Sequence, residues 1–218
     1  MGAGYFWVAS IDIVHIIAYP GMNLILEGTT NLSAQVWLAA RFLEAGVLLT
    51  GALVYFKSDR GYAQFFGIGV LSSAITALVL SGYFPTAYVE GVGLTQFKIQ
   101  SEHLIIVALT VALYFYNKSE AFKGERTKKF ILASILFSIA AEFSFTAYVV
   151  YSDIFNQIGH LLKIASFWMI YQALVAKTLI VPYRKAHLLN EAIQASPLGI
   201  SLLNAKGEIL PPIPLMRV

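Results

Sequence analysis

The chain has 218 residues, of which 58% are hydrophobic and only 12% are Asp, Glu, Lys or Arg. Water-soluble domains carry about a quarter charged residues, and the mean hydropathy here is +0.70, so the composition excludes a disordered tail, a nucleic-acid-binding protein and a typical soluble enzyme. The absence of cysteine excludes disulfides, thiolate zinc sites, iron–sulfur clusters and thioether-linked haem.

We predict about six membrane spans, each near the length that crosses a hydrocarbon core of about 30 Å. They cover 4–19, 33–56, 61–84, 98–116, 130–152 and 154–177. The first span is short and ends at Pro20-Gly21, a pair that terminates helices. It is not a cleavable signal peptide, because it lacks a basic start and Asp12 and His15 interrupt it. The predicted fold class is all-α, a polytopic transmembrane helical bundle with a short soluble stub.

Lysine and arginine are concentrated in alternate connections between the spans. By the positive-inside rule those connections are cytoplasmic, so six spans place both termini, including the C-terminus, in the cytoplasm of a multi-pass protein. The basic connections carry Lys57 and Arg60, then Lys118, Lys123, Arg126, Lys128 and Lys129, and lastly Arg184 and Lys185; the opposite connections carry Lys98 with Glu27, Glu90 and Asp153.

The character of the chain changes after the last span. Residues 184–195 have the pattern of a short amphipathic helix, which we interpret as a connecting helix that Ser196-Pro197 ends. Residues 199–204 are predicted to form a strand that turns towards 208–210. We therefore divide the chain into a transmembrane domain (1–183), the connecting helix, and the start of a soluble domain (196–218) that is too short to build a core.

Nine ionisable residues lie inside the predicted spans, where such groups are costly and normally face the bundle interior. With a rise of about 1.5 Å per residue, all of them lie roughly 6 to 15 Å from the outer ends of their helices. This shared depth predicts one site in the outer half of the membrane. The nine are Asp12, His15, Arg41, Glu44, Glu102, His103, Glu142, His160 and Lys163.

Helical spacing places several of these groups on common faces, because residues three apart are neighbours on a helix. The pairs are Asp12 with His15, Arg41 with Glu44, and His160 with Lys163; Trp37 shares the face of the second pair and Asn156 that of the third. The third span, 61–84, offers only Ser, Thr and Gly, which is typical of a packing helix.

Two interpretations of these groups stay open. The charged pairs can be structural ion pairs that hold the bundle together, or parts of a binding site. Four acids against two permanent cations give a formal charge of −2 with neutral histidines, and burying that imbalance is expensive. A bound cation, protonated carboxylates or protonated histidines would each correct it.

These residue types permit four kinds of chemistry. Imidazoles and carboxylates suit a divalent transition metal, although no dense ligand motif is present; the candidate ligands are His15, Glu102, His103, Glu142 and His160, with Asp12 a further carboxylate. Two histidines could instead ligate haem b. An organic ligand or a quinone could be held by Arg41 or Lys163 and stacked on Trp37. Protonation alone could also be the signal.

Five ordered segments resemble the third type of membrane-associated sensor domain of bacteria and archaea, over about 5–183. The segments are Asp12-x-x-His15 through Ala18-Tyr19-x-Gly21-Met22; Gln35-x-Trp37-x-Ala39-Ala40-Arg41-x-x-Glu44; Ser101-Glu102; Glu142-Phe143-Ser144-Phe145-Thr146-x-Tyr148; and Asn156-x-x-Gly159-His160-x-x-Lys163. The resemblance implies a plasma-membrane sensor of a histidine kinase or diguanylate cyclase, acting as a homodimer. Residues 189–210 similarly resemble the opening of a PAS domain.

Two departures from the family pattern predict a truncated chain: the pattern has one more helix before the first span, and the tail PPIPLMRV does not resemble the rest of a PAS domain. Our leading hypothesis is a sensor, not an enzyme in itself, whose partners are the lipid bilayer and a small ligand or ion. His160 and Lys163 lie on the last span and would relay the signal to the output module. The alternatives are a haem- or metal-binding oxidoreductase subunit and, with less support, an ion-coupled transporter.

Overall fold

The computed structural model describes residues 1–22, 29–53, 61–119, 126–147 and 153–195. Its helices are α1 (Gly2–Ile17), α2 (Thr30–Leu53), α3 (Gly61–Leu80), α4 (Gln96–Lys118), α5 (Arg126–Ala147), α6 (Ile154–Val175) and α7 (Val181–Gln194). Helices α2 to α6 are long and apolar enough to cross a membrane, while α1 is apolar but has 16 residues. The predicted all-α polytopic bundle is confirmed.

Helix α2 lies at the centre of the bundle. Most of its described residues are buried, and Leu38 and Leu48 have no exposed surface. Leu38 and Leu48 pack with α4 and α5, whereas Val36 and Leu43 pack with α1 and α3. Because α2 contacts helices on both sides and carries the buried Arg41 and Glu44, it is the element around which the polar site is built.

Helices α1 and α3 pack on one side of this centre. The buried residues of α1, Gly4, Val8, Ile11 and His15, recur at helical spacing and form one stripe. Helix α3 is mostly exposed. It receives the indole of Trp7, which donates a 2.9 Å hydrogen bond from Nε1 to the carbonyl of Phe65 and packs where a Cβ at Gly69 would lie.

The connection between α3 and α4 forms a small antiparallel hairpin, β1 (Tyr88–Val89) and β2 (Gly93–Leu94), which was not predicted from the sequence. It is fastened to the start of α2. Asn31 Oδ1 accepts hydrogen bonds from the amides of Ala87 and Tyr88 at 2.8 and 3.0 Å. Gln35 Nε2 donates to the carbonyls of Phe84 and Pro85, both at 2.9 Å. The hairpin thus caps one end of the bundle.

The last span and the connecting helix form one continuous helical rod. Helix α6 passes through a π-helical segment, 176–180, directly into α7. Pro182 lies in the first turn of α7, where the missing amide hydrogen costs little. The predicted span ends at 177 and the predicted connecting helix begins at 184, whereas the structure joins the two. The predicted strand at 199–204, its turn and the tail lie outside the described residues.

Candidate functional site

The ionisable residues gather at the capped end of the bundle, where α1 ends and α6 begins. A chain of alternating charges links four helices there. Arg41 donates from Nη2 to Asp12 at 2.5 Å and from Nη1 to Glu44 at 2.6 Å. Lys163 Nζ lies 2.7 Å from Glu44 Oε2 and 3.2 Å from Glu142 Oε1. We call these five residues the charge chain.

All three ammonium hydrogens of Lys163 have hydrogen-bond acceptors. Besides the two carboxylates, its Nζ donates a 3.2 Å hydrogen bond to Ser138 Oγ, which accounts for the three hydrogens of an ammonium group. Ser138 in turn donates to Glu44 at 3.3 Å and shares a 2.7 Å hydrogen bond with Ser166. Removing one partner from a buried pair leaves an uncompensated charge and costs about 3–5 kcal/mol. The charge chain therefore holds α1, α2, α5 and α6 in one arrangement.

Lys98 belongs to the buried polar group, which corrects its assignment to an outer connection. It lies in the first turn of α4, is 1% exposed, and forms an ion pair with Glu102 one turn later. The i,i+4 spacing of the two residues was the sequence signal that could have found it. With neutral histidines the charge becomes −1 instead of −2. The count is four acids (Asp12, Glu44, Glu102, Glu142) against three cations (Arg41, Lys98, Lys163).

His103 is not brought together with the other candidates. Glu102 has no exposed surface, but His103 is exposed on the outer side of α4, because consecutive residues of an α-helix point about 100° apart. The predicted trio of histidines is therefore reduced to His15 and His160.

An aromatic layer surrounds these two histidines. Their ring centroids are 6.4 Å apart, and the Trp37 ring lies 5.2 Å from His15 and 5.0 Å from His160. Phe145 packs 4.8 Å from Trp37. The guanidinium of Arg41 covers the indole at 4.4 Å, a cation–π contact. Trp37 is thus held between the histidines and the charge chain.

The tautomer of His15 follows from its neighbour. Nδ1 lies 2.8 Å from the backbone carbonyl of Ser33. A carbonyl oxygen only accepts, so Nδ1 donates, and Nε2 of the neutral ring is an acceptor. The Ser33 carbonyl at the start of α2 therefore fixes the orientation of the His15 ring.

A cavity of about 400 Å³ lies between α1 and α6, beside the aromatic layer. We call it the site cavity. Its polar and aromatic lining comes from Asp12, His15, Trp37, His160, Lys163 and Phe167. A second space of about 10 Å³, lined by His15, Trp37, Lys98, Asn156 and His160 among others, has about the volume of one water molecule. Asn156 therefore lies beside the smaller space.

Several buried polar atoms have no hydrogen-bond partner among the described residues. Two of them belong to side chains that line the site cavity: Asp12 Oδ2 and Trp37 Nε1. The others are Arg41 Nε, Glu102 Oε2 and Glu142 Oε2. An unpaired buried donor or acceptor costs about 1–3 kcal/mol, so each of these atoms reduces the stability that the buried polar group provides.

The arrangement of the candidate ligands does not favour a metal ion or a haem. Within the described ranges, no group of three or more His, Asp or Glu side chains is placed to hold a metal ion; the five proposed ligands are dispersed, since His103 is exposed and Glu102 pairs with Lys98. Haem between His15 and His160 would require movement of Trp37, because that ring lies about 5 Å from both imidazoles and fills the space a porphyrin would occupy.

Other residues of the site carried weaker sequence signals. Phe145 follows Glu142 by three positions, Ser138 precedes it by four, and Phe167 follows Lys163 by four, so each lies on a face already marked by a charge. Tyr19 lines the site cavity just beyond the end of α1. Such spacing indicates a shared face, but it does not show which neighbouring helix that face meets.

This architecture, an apolar helical bundle with a buried polar site at one end, is that of an integral membrane protein. The chain belongs to the MASE3 family of membrane-associated sensor domains, whose model matches residues 1–182. The resemblance found in the five sequence segments is thereby confirmed. Comparisons with curated proteins and with solved structures gave no match.

Proposed function

We propose that this sensor domain detects a small molecule bound in the site cavity, and that α6 carries the signal to an output module. The observation that supports this most is the position of the cavity between two helices. Asp12 and His15 of α1 form one wall, and His160 and Lys163 of α6 form the other. A ligand that contacts both walls binds best at one separation of the helices, and so favours one of their arrangements.

The cavity itself has the properties of a small-molecule site. Its volume of about 400 Å³ lies within the range of about 300–1,000 Å³ that is usual for such sites. Apolar and aromatic side chains surround a few polar groups, which belong to Asp12, His15, His160 and Lys163. This combination supports ligand binding over a purely structural role for the polar groups.

The continuity of α6 with α7 supports the relay. Lys163 ties α6 to α2 and α5, and the same helix continues through the π-helical segment 176–180 into α7. π-helical turns are frequent at functional positions in helices. A small displacement of α6 at the site cavity would therefore change the position or rotation of α7.

The wider setting of the domain belongs to the same proposal. The transmembrane domain covers 1–183, α7 serves as the connecting helix, and 196–218 begin a PAS domain followed by a histidine kinase or diguanylate cyclase. The distribution of lysine and arginine supports a cytoplasmic C-terminus. The protein acts as a homodimer in the plasma membrane of a bacterium or archaeon.

The relay can be tested without knowing the ligand, by filling the site cavity with a side chain. Ile164 lines the cavity and is 65% exposed, whereas Leu161 on the same helix is 66% exposed and is not among the cavity-lining residues. Ile164→Trp should occupy the cavity, and Leu161→Trp should add the same side chain facing lipid. The pair separates occupancy from a general effect of tryptophan in the membrane.

The readout is the distance between α5 and α7 in nanodiscs. Since the chain has no cysteine, Leu136→Cys and Leu188→Cys give two unique spin-label positions, both on exposed residues. Electron double resonance should show a displacement of about 1–2 Å or more for Ile164→Trp and none for Leu161→Trp. Unchanged distances in both variants, or the same change in both, would contradict the relay. Circular dichroism and gel filtration check that each variant is folded.

A further inference from the structure

We infer that the site cavity takes an uncharged single-chain amphiphile, a hydrocarbon chain with a hydrogen-bonding head group such as an alcohol. This inference rests on the proposed function and names the class of its ligand. It depends on where the cavity opens, on which groups of its lining are still able to bind a ligand, and on the depth of those groups in the membrane.

The cavity opens on the apolar surface of the bundle. Ile16 on α1 and Ile164 on α6 both line it, and they are 51% and 65% exposed. Side chains on the outer surface of a transmembrane bundle face lipid, so the route into the cavity runs from the bilayer between two isoleucines. A molecule that arrives this way must dissolve in the hydrocarbon region.

Several polar residues of the lining have their polar atoms turned into the bundle. The ammonium of Lys163 donates to three oxygens of the protein. Asp12 pairs through Oδ1 with Arg41, and its Oδ2 is buried. Trp37 Nε1 is buried as well. These residues therefore present mainly carbon to the cavity, and the ring of Phe167 adds to the same apolar surface.

Three other side chains provide the hydrogen-bonding groups of the lining. His15 offers Nε2 as an acceptor, because Nδ1 donates to the Ser33 carbonyl. His160 is half-buried, and no hydrogen bond joins its ring to another described residue, so the neutral imidazole offers one donor and one acceptor. Tyr19 adds a hydroxyl. An alcohol both donates and accepts, and it therefore pairs with His160 in either tautomer.

The charges beside the cavity are paired with one another, which favours an uncharged head group. Arg41 binds Asp12 and Glu44, while Lys163 binds Glu44 and Glu142. Among the described residues of the lining, no lysine or arginine is left for an anionic head group. A cationic head group would find Asp12 already bound to a guanidinium. Because burying an unpaired charge is costly, a charged head group is excluded from this site.

The hydrogen-bonding groups lie nearer the membrane surface than the apolar end of the cavity. Tyr19 lies just beyond the end of α1, and His160 lies in the second turn of α6. Phe167 follows His160 by seven positions on the same helix, which places it about 10 Å deeper. A bound amphiphile would thus have its head group towards the capped end and its chain towards the bilayer centre. Lipids have the same orientation, so the molecule can enter sideways without turning over.

The test uses bromine as a contact quencher of tryptophan fluorescence in nanodiscs that contain the full chain. Bromooctanol, with bromine and hydroxyl at opposite ends, is compared with bromooctane, bromooctanesulfonate and bromooctyltrimethylammonium. The chain has three tryptophans. Trp7→Phe with Trp168→Phe leaves Trp37, which lines the cavity. Trp7→Phe with Trp37→Phe leaves Trp168, which is 55% exposed and is not among the lining residues.

Quenching of Trp168 measures the concentration of each probe in the bilayer and should rise without saturation. At equal quenching of Trp168, bromooctanol should quench Trp37 saturably, with half-saturation at about tenfold lower concentration than bromooctane, as one additional hydrogen bond implies. The two charged probes should give no saturable quenching of Trp37. An anionic head group bound by a protonated His160 would appear as saturable quenching by the sulfonate.

A substitution at His160 tests the head-group contact. His160→Phe keeps an aromatic ring and removes both nitrogens, so half-saturation by bromooctanol should rise about tenfold while that by bromooctane stays unchanged. His103→Phe makes the same chemical change on the exposed side of α4 and should alter neither value. Circular dichroism and gel filtration check that both variants are folded.

Three outcomes would overturn the inference. They are the absence of saturable quenching of Trp37 by bromooctanol, saturable quenching by either charged probe, and a preference for bromooctanol over bromooctane that is missing or that folded His160→Phe leaves unchanged. The comparison of probes needs no change at His160, so it decides the question even if that variant misfolds. None of these outcomes bears on the displacement of α7 by Ile164→Trp, and failure of the ligand class is therefore distinguishable from failure of the relay.

Discussion

Lys163 on α6 and Glu44 on α2 form an ion pair of 2.7 Å, and their side chains are only 3% and 1% exposed. Glu44 is also bound by Arg41 of its own helix, which reaches Asp12 on α1. The central helix thus carries a carboxylate that connects both walls of the site cavity. A change at either wall alters the electrostatic environment of the other.

Lys163→Met should strongly destabilise the bundle. The change leaves Glu44 and Glu142 as buried carboxylates without their shared cation, a loss of about 3–5 kcal/mol. Unfolding in a mild detergent, titrated with sodium dodecyl sulfate and followed by circular dichroism, measures the free energy. Lys185→Met on the exposed surface of α7 is the matched control and should change it by less than about 0.5 kcal/mol.

The double variant Lys163→Met, Glu142→Leu tests the cause of this loss. Removing Glu142, which pairs with Lys163 whereas Glu44 keeps Arg41, should restore part of the stability, because the cost arises from uncompensated charge and not from lost packing. Strictly additive losses would show that the two residues do not interact, against the 3.2 Å contact.

Gly159→Ala should destabilise the site by about 1–3 kcal/mol through overpacking. A Cβ at this position would lie 2.5 Å from Cε1 of Phe145, a ring already packed against Trp37 and His160. Gly67→Ala on α3 is the control, because no atom lies within 4 Å of its added Cβ; its higher helix propensity should stabilise by up to about 1 kcal/mol. Thermal unfolding of both variants provides the comparison, and equal shifts would contradict the close packing.

Asn31→Ala should loosen the hairpin cap. The change removes the oxygen that accepts from the amides of Ala87 and Tyr88, a loss of about 2 kcal/mol for two hydrogen bonds. Hydrogen exchange followed by mass spectrometry should show roughly 30-fold faster exchange of these two amides. Asn31→Asp keeps an acceptor oxygen and should retain most of their protection. Fast exchange in the unaltered protein would instead show that the cap is not closed.

The predicted orientation can be tested with single cysteines, because the chain has none of its own. Tyr83, at the capped end, is 83% exposed, and Leu188 on α7 is 57% exposed. A membrane-impermeant maleimide added to intact cells should label Tyr83→Cys, and should label Leu188→Cys only after permeabilisation. The reverse pattern would place the site end at the cytoplasmic face.

The membrane spans could be predicted from the sequence alone. Long apolar runs must form helices in a membrane, because every backbone amide and carbonyl needs an internal partner. That requirement located α2 to α6 within a few residues. It could not locate the hairpin at 88–94, which depends on contacts from Asn31 and Gln35, more than 50 residues away for the paired amides.

In the candidate site, too, some features could be predicted from the sequence and others could not. Composition and helical spacing determined, without any structure, that this is a membrane bundle and that its ionisable groups collect at one depth, because burying charge is costly enough to leave a visible pattern. Only the tertiary structure decided that Lys98 is inside, that His103 is outside, and that a cavity separates α1 from α6. Those outcomes depend on how each helix is rotated about its axis and on which helix it contacts. Packing between segments that are distant in sequence fixes that rotation, and the spacing of residues within a single helix does not.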